Sequence, residues 1–145
     1  SQSLVPPTLG DLGLAESIQD LCDGLRRSHK FKIKFSRSHF EEDTIPDNLK
    51  LSLFRILQEK ISNIIRHSGA TQISIKLQND AESIFLTITD NGKGFDTQTA
   101  REGLGLNNIR TRVALFNGKM DLKTAPGEGC VLQVSIPYHR ESEAD

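Results

Sequence analysis

A long segment with two unlike faces, residues 47–67, limits the folds that this chain of 145 residues can adopt. Its apolar residues recur at spacings of three and four, which predicts one helix with a single face for the core. These residues are Leu53, Phe54, Ile56, Leu57, Ile61, Ile64 and Ile65. Asp47 is expected to cap the start of the helix, and Gly69 is expected to end it. Such a helix needs a second layer of structure to cover its apolar face.

Five segments are predicted to be β-strands and to supply that second layer. The first three alternate apolar and polar residues, and the last two flank a Pro-Gly-Glu-Gly turn. The five strands are predicted at residues 31–35, 72–78, 83–89, 119–124 and 130–136, and two further helices at 14–28 and 105–116. This order favours an α+β fold, a two-layer α/β sandwich in which a mixed β-sheet is covered on one face by about three helices.

Length and composition fit one soluble globular domain. We expect it to span residues 14–138, after an extended lead-in at 1–13 and before a disordered polar tail at 139–145. The formal net charge of −1 argues against broad binding to nucleic acid or to an anionic membrane. Cys22 and Cys130 lie far apart without a C-x-x-C neighbour, so both are predicted to be reduced thiols, which favours a cytosolic location.

The polar face of the long helix carries Glu59, Asn63 and His67 on successive turns, with Arg66 beside them. A carboxylate and an amide oxygen one helical turn apart suit phosphate-bound Mg²⁺, which takes few protein ligands and keeps water. Arg66 and His67 would then contact phosphate oxygens. The alternative is an ordinary solvated helix face.

Asp90 should point inward, because it continues the apolar face of its predicted strand. A buried carboxylate demands a partner, and the exocyclic amine of adenine is a suitable one. Gly92 and Gly94 would let the backbone approach the ring. The alternative is a hairpin turn at Asn-Gly, but residues 95–102 show no pattern of a returning strand.

A glycine-rich segment opens the third predicted helix. It consists of Gly103, Leu104, Gly105 and Leu106, and Arg110 follows in the first turns of the helix. The free N–H groups and the positive dipole end of a helix N-terminus attract phosphates. The alternative there is a hinge or a loop, because neither established phosphate-binding fingerprint is met.

Two remaining segments indicate a nucleotide site less specifically. Residues 96–102 are polar and aperiodic, and we interpret them as a lid. Gly127 and Gly129 alone indicate only a hairpin turn. Their value lies in their position after the other motifs.

The order of these motifs resembles the GHKL ATP-binding fold shared by gyrase B, Hsp90, MutL and the catalytic domains of bacterial sensor histidine kinases. The sequences of residues 54–67 and 103–110 are similar to those of the kinases that pair with NarL-type response regulators. The resemblance covers about residues 9–138. It implies a domain that binds ATP and Mg²⁺, with a lead-in from an absent upstream dimerisation domain.

The resemblance also implies individual roles. Asn63 would be a Mg²⁺ ligand, and Glu59 would be the catalytic base or a second metal contact, in a motif that Arg66 and His67 complete. The other implied nucleotide-binding residues are Asp90, Gly92, Gly94, Gly103, Leu104, Gly105, Leu106, Arg110, Gly127, Gly129 and Cys130. Two residues depart from the family pattern: Cys130 stands where Thr is usual, and Lys60 stands where a small residue is usual.

The implied function is transfer of the γ-phosphate of ATP to a His on a separate dimerisation domain, in a parent protein that is a homodimer and acts on a response regulator. None of the four histidines of this chain has the context of the phosphoacceptor. We expect a cytoplasmic domain without direct membrane contact, whether or not the parent is membrane-anchored. The alternatives are another GHKL ATPase, a Ser kinase of the anti-sigma type, or a non-catalytic interaction module of the same fold.

Overall fold

Three helices and five strands make up the architecture, in a computed structural model that describes residues 7–29, 31–98 and 105–139. In chain order they are α1 (Pro7–Ser28), β1 (Lys32–His39), α2 (Asp47–Asn63), β2 (Gln72–Asn79), β3 (Ser83–Asp90), α3 (Leu106–Leu115), β4 (Lys119–Thr124) and β5 (Cys130–Pro137). A short 3₁₀ turn precedes α2, and a π-helical turn, Ile64–Ser68, follows it. None of the helices in the described ranges combines the length and apolarity needed to cross a bilayer.

The five strands form one mixed sheet in the order β1-β2-β3-β5-β4. β1 is parallel to β2, and the other neighbouring pairs are antiparallel. Burial alternates along the central strands, so Ile75, Ile88 and Leu132, which are aligned across three strands, all lie inside. The structure therefore confirms the predicted mixed sheet with helices on one face.

The core lies between that face and the helices. The buried face of α2 supplies Leu53, Ile56, Leu57 and Ile61, each at most 3% exposed. Burying an aliphatic side chain of this size contributes roughly 1.5–3 kcal/mol relative to leaving it in water. Helix α2 is thereby fixed over the sheet, and this places its polar residue Asn63 near the C-terminal end of the central strand β3.

Helix α1 begins earlier than the sequence predicted. Residues 7–12 are helical, so the prediction of an extended lead-in at 1–13 is wrong there, and residues 1–6 lie outside the described ranges. Proline at the first helical position is a normal helix start, because its fixed φ suits the helix and its missing N–H has no partner there in any case. Gly13 then interrupts the helix with φ 85° and ψ −177°, and the predicted helix at 14–28 follows it.

Both ends of α2 differ in detail from the prediction. Pro46, rather than Asp47, is the N-cap, and its carbonyl accepts the N–H groups of Leu49 and Lys50 at 3.1 Å each. The predicted single helix to position 67 ends as α-helix at Asn63 and continues as the π-helical turn. Gly69 closes that turn with φ 67°, as expected of a C-terminal glycine.

The remaining predicted elements are found with small changes at their ends. β3 extends to Asp90, and α3 ends before Asn117, which has φ 59°. Of the predicted lid, residues 99–102 lie outside the described ranges, as do residues 140–145 of the predicted tail.

Candidate functional site

A cavity of about 210 Å³ opens where α2 and its π-helical turn meet the end of β3 and the start of β5. Its lining residues are Lys60, Asn63, Ile64, His67, Ser68, Asp90, Lys93, Gly94, Phe95, Leu106 and Cys130. Six of them were predicted site residues: Asn63, His67, Asp90, Gly94, Leu106 and Cys130. Folding therefore brings together motifs that are widely separated in the chain.

Asp90 is the acidic residue of this cavity. It is the last residue of β3, it is only 5% exposed, and it pairs with Cys130 across β3 and β5. One carboxylate oxygen accepts the backbone N–H of Gly92 at 2.8 Å. A carboxylate has two oxygens with about four lone-pair sites. Asp90 thus retains acceptor capacity toward the cavity, as its inward parity predicted.

Close packing explains why glycine occupies positions 92 and 94, the two glycines after Asp90. A Cβ at Gly92 would lie 2.6 Å from the carbonyl oxygen of Ser68, and a Cβ at Gly94, where φ is 64°, would overlap the carbonyl oxygen of Ala125. The loop 91–95 is therefore pressed between the π-helical turn and the β4–β5 turn. Gly94 also lines the cavity, whereas Gly92 is buried and does not line it.

Backbone hydrogen bonds hold this loop on both sides. Lys93 donates its N–H to the carbonyl of Ser68 at 2.9 Å, and its own carbonyl accepts the N–H of Gly127 at 2.6 Å. The Thr124 hydroxyl accepts the N–H of Phe95 at 3.2 Å and donates to the carbonyl of Gly129 at 2.6 Å. The loop that carries the glycines is thus tied to two neighbouring elements.

Glu59 and Asn63 meet the start of α3. A Cβ at Gly105, where φ is 73°, would lie 2.8 Å from the side-chain nitrogen of Asn63 and would overlap a carboxylate oxygen of Glu59. Asn63 is 5% exposed and lines the cavity. A carboxylate and an amide lie one helical turn apart beside a helix N-terminus, and this donor set fits Mg²⁺, which prefers oxygen ligands.

Arg66 and His67 lie in the π-helical turn, and both are exposed. His67 lines the cavity, and Arg66 donates a long hydrogen bond of 3.4 Å to the side-chain oxygen of Asn63. Single π turns are frequent at functional sites because they rotate the following residues relative to the α-helix. Here the turn carries both predicted phosphate contacts.

Some predicted site residues in the described ranges do not line the cavity, and two others are not described. Gly103 and Leu104 fall outside the described ranges. Arg110 is exposed on α3, and Gly127 has φ 80° with no atom near its missing Cβ, as in an open turn. A Cβ at Gly129, where φ is 69°, would overlap the backbone carbonyl of Asp90. Gly129 therefore permits close packing behind Asp90.

Lys60 was not among the predicted site residues, although it had been recognised as a departure from the family pattern. It is 4% exposed, it lines the cavity, and its Nζ donates a hydrogen bond to Sγ of Cys130 at 3.2 Å. Burial raises the pKa of the Cys130 thiol, and the neighbouring Lys60 opposes that rise. The two residues that depart from the family pattern, Lys60 and Cys130, therefore contact each other.

Ile64, Ser68, Lys93 and Phe95 also line the cavity and were not predicted. Lys93 and Phe95 belong to the motif that begins at Asp90, so their neighbours in sequence could have indicated them. Ile64 was predicted to be a core residue, which the structure confirms, and it also lines the cavity one helical turn after Lys60. Ser68 gave no signal in the sequence.

Comparison with known proteins identifies the family. The family model described as histidine kinase-, DNA gyrase B-, and HSP90-like ATPase matches residues 48–140. The chain belongs to this family. This ATPase domain is 33% identical over 141 residues to the sensor protein VraS of Staphylococcus haemolyticus, covering 97% of the domain and 40% of that protein. It is 36% identical over 144 residues to VraS of Staphylococcus saprophyticus, with coverages of 98% and 41%.

The ATPase domain thus spans about 40% of the length of these curated relatives. Among solved structures, it is similar to the catalytic domain of the histidine kinase ThkA, with a TM-score of 0.67 and 18% identity over 86% of the domain and 89% of that chain. It is also similar to full-length ShkA in complex with AMPPNP, with a TM-score of 0.70 and 18% identity over 90% of the domain and 30% of that chain. These likenesses confirm the predicted fold, and the family confirms ATP as the nucleotide.

Proposed function

We propose that this ATPase domain is the catalytic domain of a sensor histidine kinase and that it transfers the γ-phosphoryl group of ATP to a His on a separate dimerisation domain. The observation that carries the proposal is the placement of two buried polar side chains, Asp90 and Asn63, in one cavity. The similarity to VraS, a sensor protein, supports the kinase class.

Asp90 would hold the adenine base. Its carboxylate accepts the Gly92 N–H, and its remaining lone pairs face a cavity that also exposes Ile64 and Leu106. A purine ring presents apolar faces and one exocyclic amine, so these walls suit its faces and the carboxylate suits the amine. This arrangement orients the nucleotide with its phosphates toward the polar side of α2.

The phosphates would lie at the start of α3. The first N–H groups of that helix lack partners within it, and its dipole favours negative charge. Asn63 and Glu59 would hold Mg²⁺ there, which when bound neutralises charge on the phosphates. Arg66, His67 and Arg110 add positive charge nearby, and Gly103, Leu104, Gly105 and Leu106 would cover the phosphates. Gly127 and Gly129 would shape the turn behind the base.

Glu59 would orient the attacking imidazole of the dimerisation domain and accept its proton. It lies on the same helix as the metal ligand Asn63, one turn away, so the base and the metal ligand have a fixed spacing. The intact protein would be a homodimer in the cytoplasm or anchored with this domain on the cytoplasmic side, and its partner would be a NarL-like response regulator. With a net charge of −1, the domain would contact neither nucleic acid nor the membrane.

The test mixes this domain with the purified dimerisation domain of the same parent protein and with γ-labelled ATP. We expect acid-labile phosphate on a His of the dimerisation domain. Glu59→Gln should lower the transfer rate by at least about 100-fold while ATP still binds. Glu82→Gln, at an exposed position between β2 and β3, is the control and should transfer normally. Acid-stable phosphate on Ser, or ATP binding without transfer, would contradict the proposal.

A further inference from the structure

Lys60 is the buried basic side chain of the cavity. The residues three and four positions before it on α2, Leu57 and Ile56, are apolar and buried, and its own exposed fraction is 4%. Its Nζ hydrogen bond goes to Cys130 Sγ at 3.2 Å. A thiol is a weak acceptor, whereas a Lys ammonium has three N–H donors. The thiol therefore satisfies only part of what this side chain can donate.

Burial of a Lys with so weak a partner is unfavourable for the fold alone. Removing an ammonium from water is costly unless charge partners or strong hydrogen bonds replace the solvent. Asp90 is a candidate partner, since it lines the same cavity and pairs with Cys130 in the sheet. Yet among the described residues no ion pair within 4.0 Å joins Lys60 to Asp90. A carboxylate and an ammonium thus face one cavity without touching.

The edge of adenine matches this separated pair. Its exocyclic amine is a donor, and the ring nitrogens on either side of the amine carbon, N1 and N7, are acceptors. A group that accepts and a group that donates, set side by side in a buried cavity, recognise such an edge in one orientation. The order of the two groups also matters, because guanine presents an acceptor oxygen where adenine presents its amine.

We infer that Lys60 is a residue that determines specificity for adenine. It donates a hydrogen bond to the ring nitrogen beside the exocyclic amine, while Asp90 accepts a hydrogen bond from that amine. The inference rests on the proposed binding of ATP at Asp90. Cys130 holds the Lys60 amino group at the cavity wall through the contact at 3.2 Å. A smaller side chain at position 60 would leave that wall without a donor, so the departure from the family pattern has a function in this chain.

Calorimetric titration with ATP, 1-deaza-ATP and 7-deaza-ATP tests the inference without any mutation. Each analogue replaces one acceptor nitrogen by C–H. We expect one of the two to bind about 10- to 100-fold more weakly than ATP, because hydrogen bonds to charged groups have that effect when one partner is removed. Which analogue is affected identifies the ring nitrogen that Lys60 contacts.

The variant Lys60→Met keeps the length of the side chain and removes its donors. It should bind ATP about 10- to 100-fold more weakly and should no longer distinguish ATP from the affected analogue. Lys76→Met is the matched control, since Lys76 is exposed on β2 and does not line the cavity, and it should bind ATP and distinguish the analogues as the wild-type domain does. Urea unfolding of both variants shows whether the fold is retained.

The outcomes separate this inference from the proposed function. If the wild-type domain binds both analogues as tightly as ATP, or if Lys60→Met retains affinity and discrimination, the role of Lys60 is overturned even though ATP binding stands. Tighter binding of ATP by Lys60→Met would also overturn it, because Lys60 would then compete with the base. Unchanged ATP binding by Asp90→Asn would instead overturn the site itself.

Discussion

The carboxylate of Glu42 accepts a hydrogen bond from the backbone N–H of Leu14 at 2.7 Å, across 28 positions of sequence. The same carboxylate accepts the N–H of Ala15 at 3.2 Å and forms an ion pair of 3.1 Å with Lys50. It therefore caps the helical segment that begins after Gly13, although it belongs to the turn before α2. One side chain thus joins α1, that turn and α2.

Replacing Glu42 by Ala is expected to lower the free energy of unfolding by about 1–2 kcal/mol, because two N–H groups at a helix start lose their acceptor. Urea denaturation measures the change. Asp43→Ala is the control, since Asp43 is the exposed next residue in the same turn. Equal stability of the two variants would show that the Glu42 cap contributes nothing.

Replacing Thr124 by Val should weaken the cavity wall. The hydroxyl links the N–H of Phe95 to the carbonyl of Gly129, and valine has the same shape without that link. We expect the free energy of unfolding to fall by about 1 kcal/mol and the Kd for ATP to rise roughly 3- to 10-fold.

Chemical denaturation and calorimetric titration measure these two effects for Thr124→Val. The control is Thr87→Val on the open face of β3, which should change neither quantity appreciably. A Thr124→Val domain with wild-type affinity would mean that Phe95 holds its place without this bond.

Asp90→Asn should reduce ATP affinity by about 10- to 100-fold with little change in stability. The asparagine oxygen can still accept the Gly92 N–H, but its amide then presents a donor to the donor amine of adenine. Asp80→Asn is a close match, because Asp80 also accepts backbone N–H groups, from Glu82 and Ser83, before the other end of β3. Calorimetry should find wild-type affinity for this control.

Stability should fall with rising pH because of Cys22. Burial raises the pKa of its thiol from 9.0 to about 11. Below pH 9.0 the thiol is protonated in the folded and the unfolded state, so it has no effect. Between pH 9.0 and about 11 the unfolded chain loses the proton first, and the free energy of unfolding should drop by roughly 2–3 kcal/mol.

The control for this pH effect is Cys22→Ala, which cannot titrate at that position. Its stability at neutral pH should be lower because a buried side chain is truncated, but its decline above pH 9.0 should be shallower. Urea unfolding across this pH range gives both curves. Parallel curves for the two proteins would contradict a thiol that titrates differently in the folded state.

Local periodicity explains what was predictable from the sequence. Alternation along β3 predicted Asp90 on the buried face, and the helical period predicted for residues 47–67 put Asn63 and His67 on one side, where both line the cavity. Both predictions depend only on the residues of a single element. The glycine after the π-helical turn, Gly69, is likewise a local signal.

Contacts between distant segments account for what was missed. The hydrogen bond between Lys60 and Cys130 depends on the register of β3 with β5 and on where α2 crosses the sheet. No pattern within either segment reveals it. The cap of α1 by Glu42 is similar, because a glutamate 28 positions away gives no signal near Gly13. The physical reason for a Lys at position 60 therefore lies in the folded cavity and not in the local sequence.

The backbone ties of Lys93 to Ser68 and to Gly127 have a thermodynamic consequence. The conformational entropy of the loop that carries the glycines is given up when the chain folds, before any nucleotide arrives. Adenosine therefore meets a rigid, preorganised receptor. Because this loop does not have to be ordered on binding, its ordering does not reduce the affinity of the domain for the nucleotide.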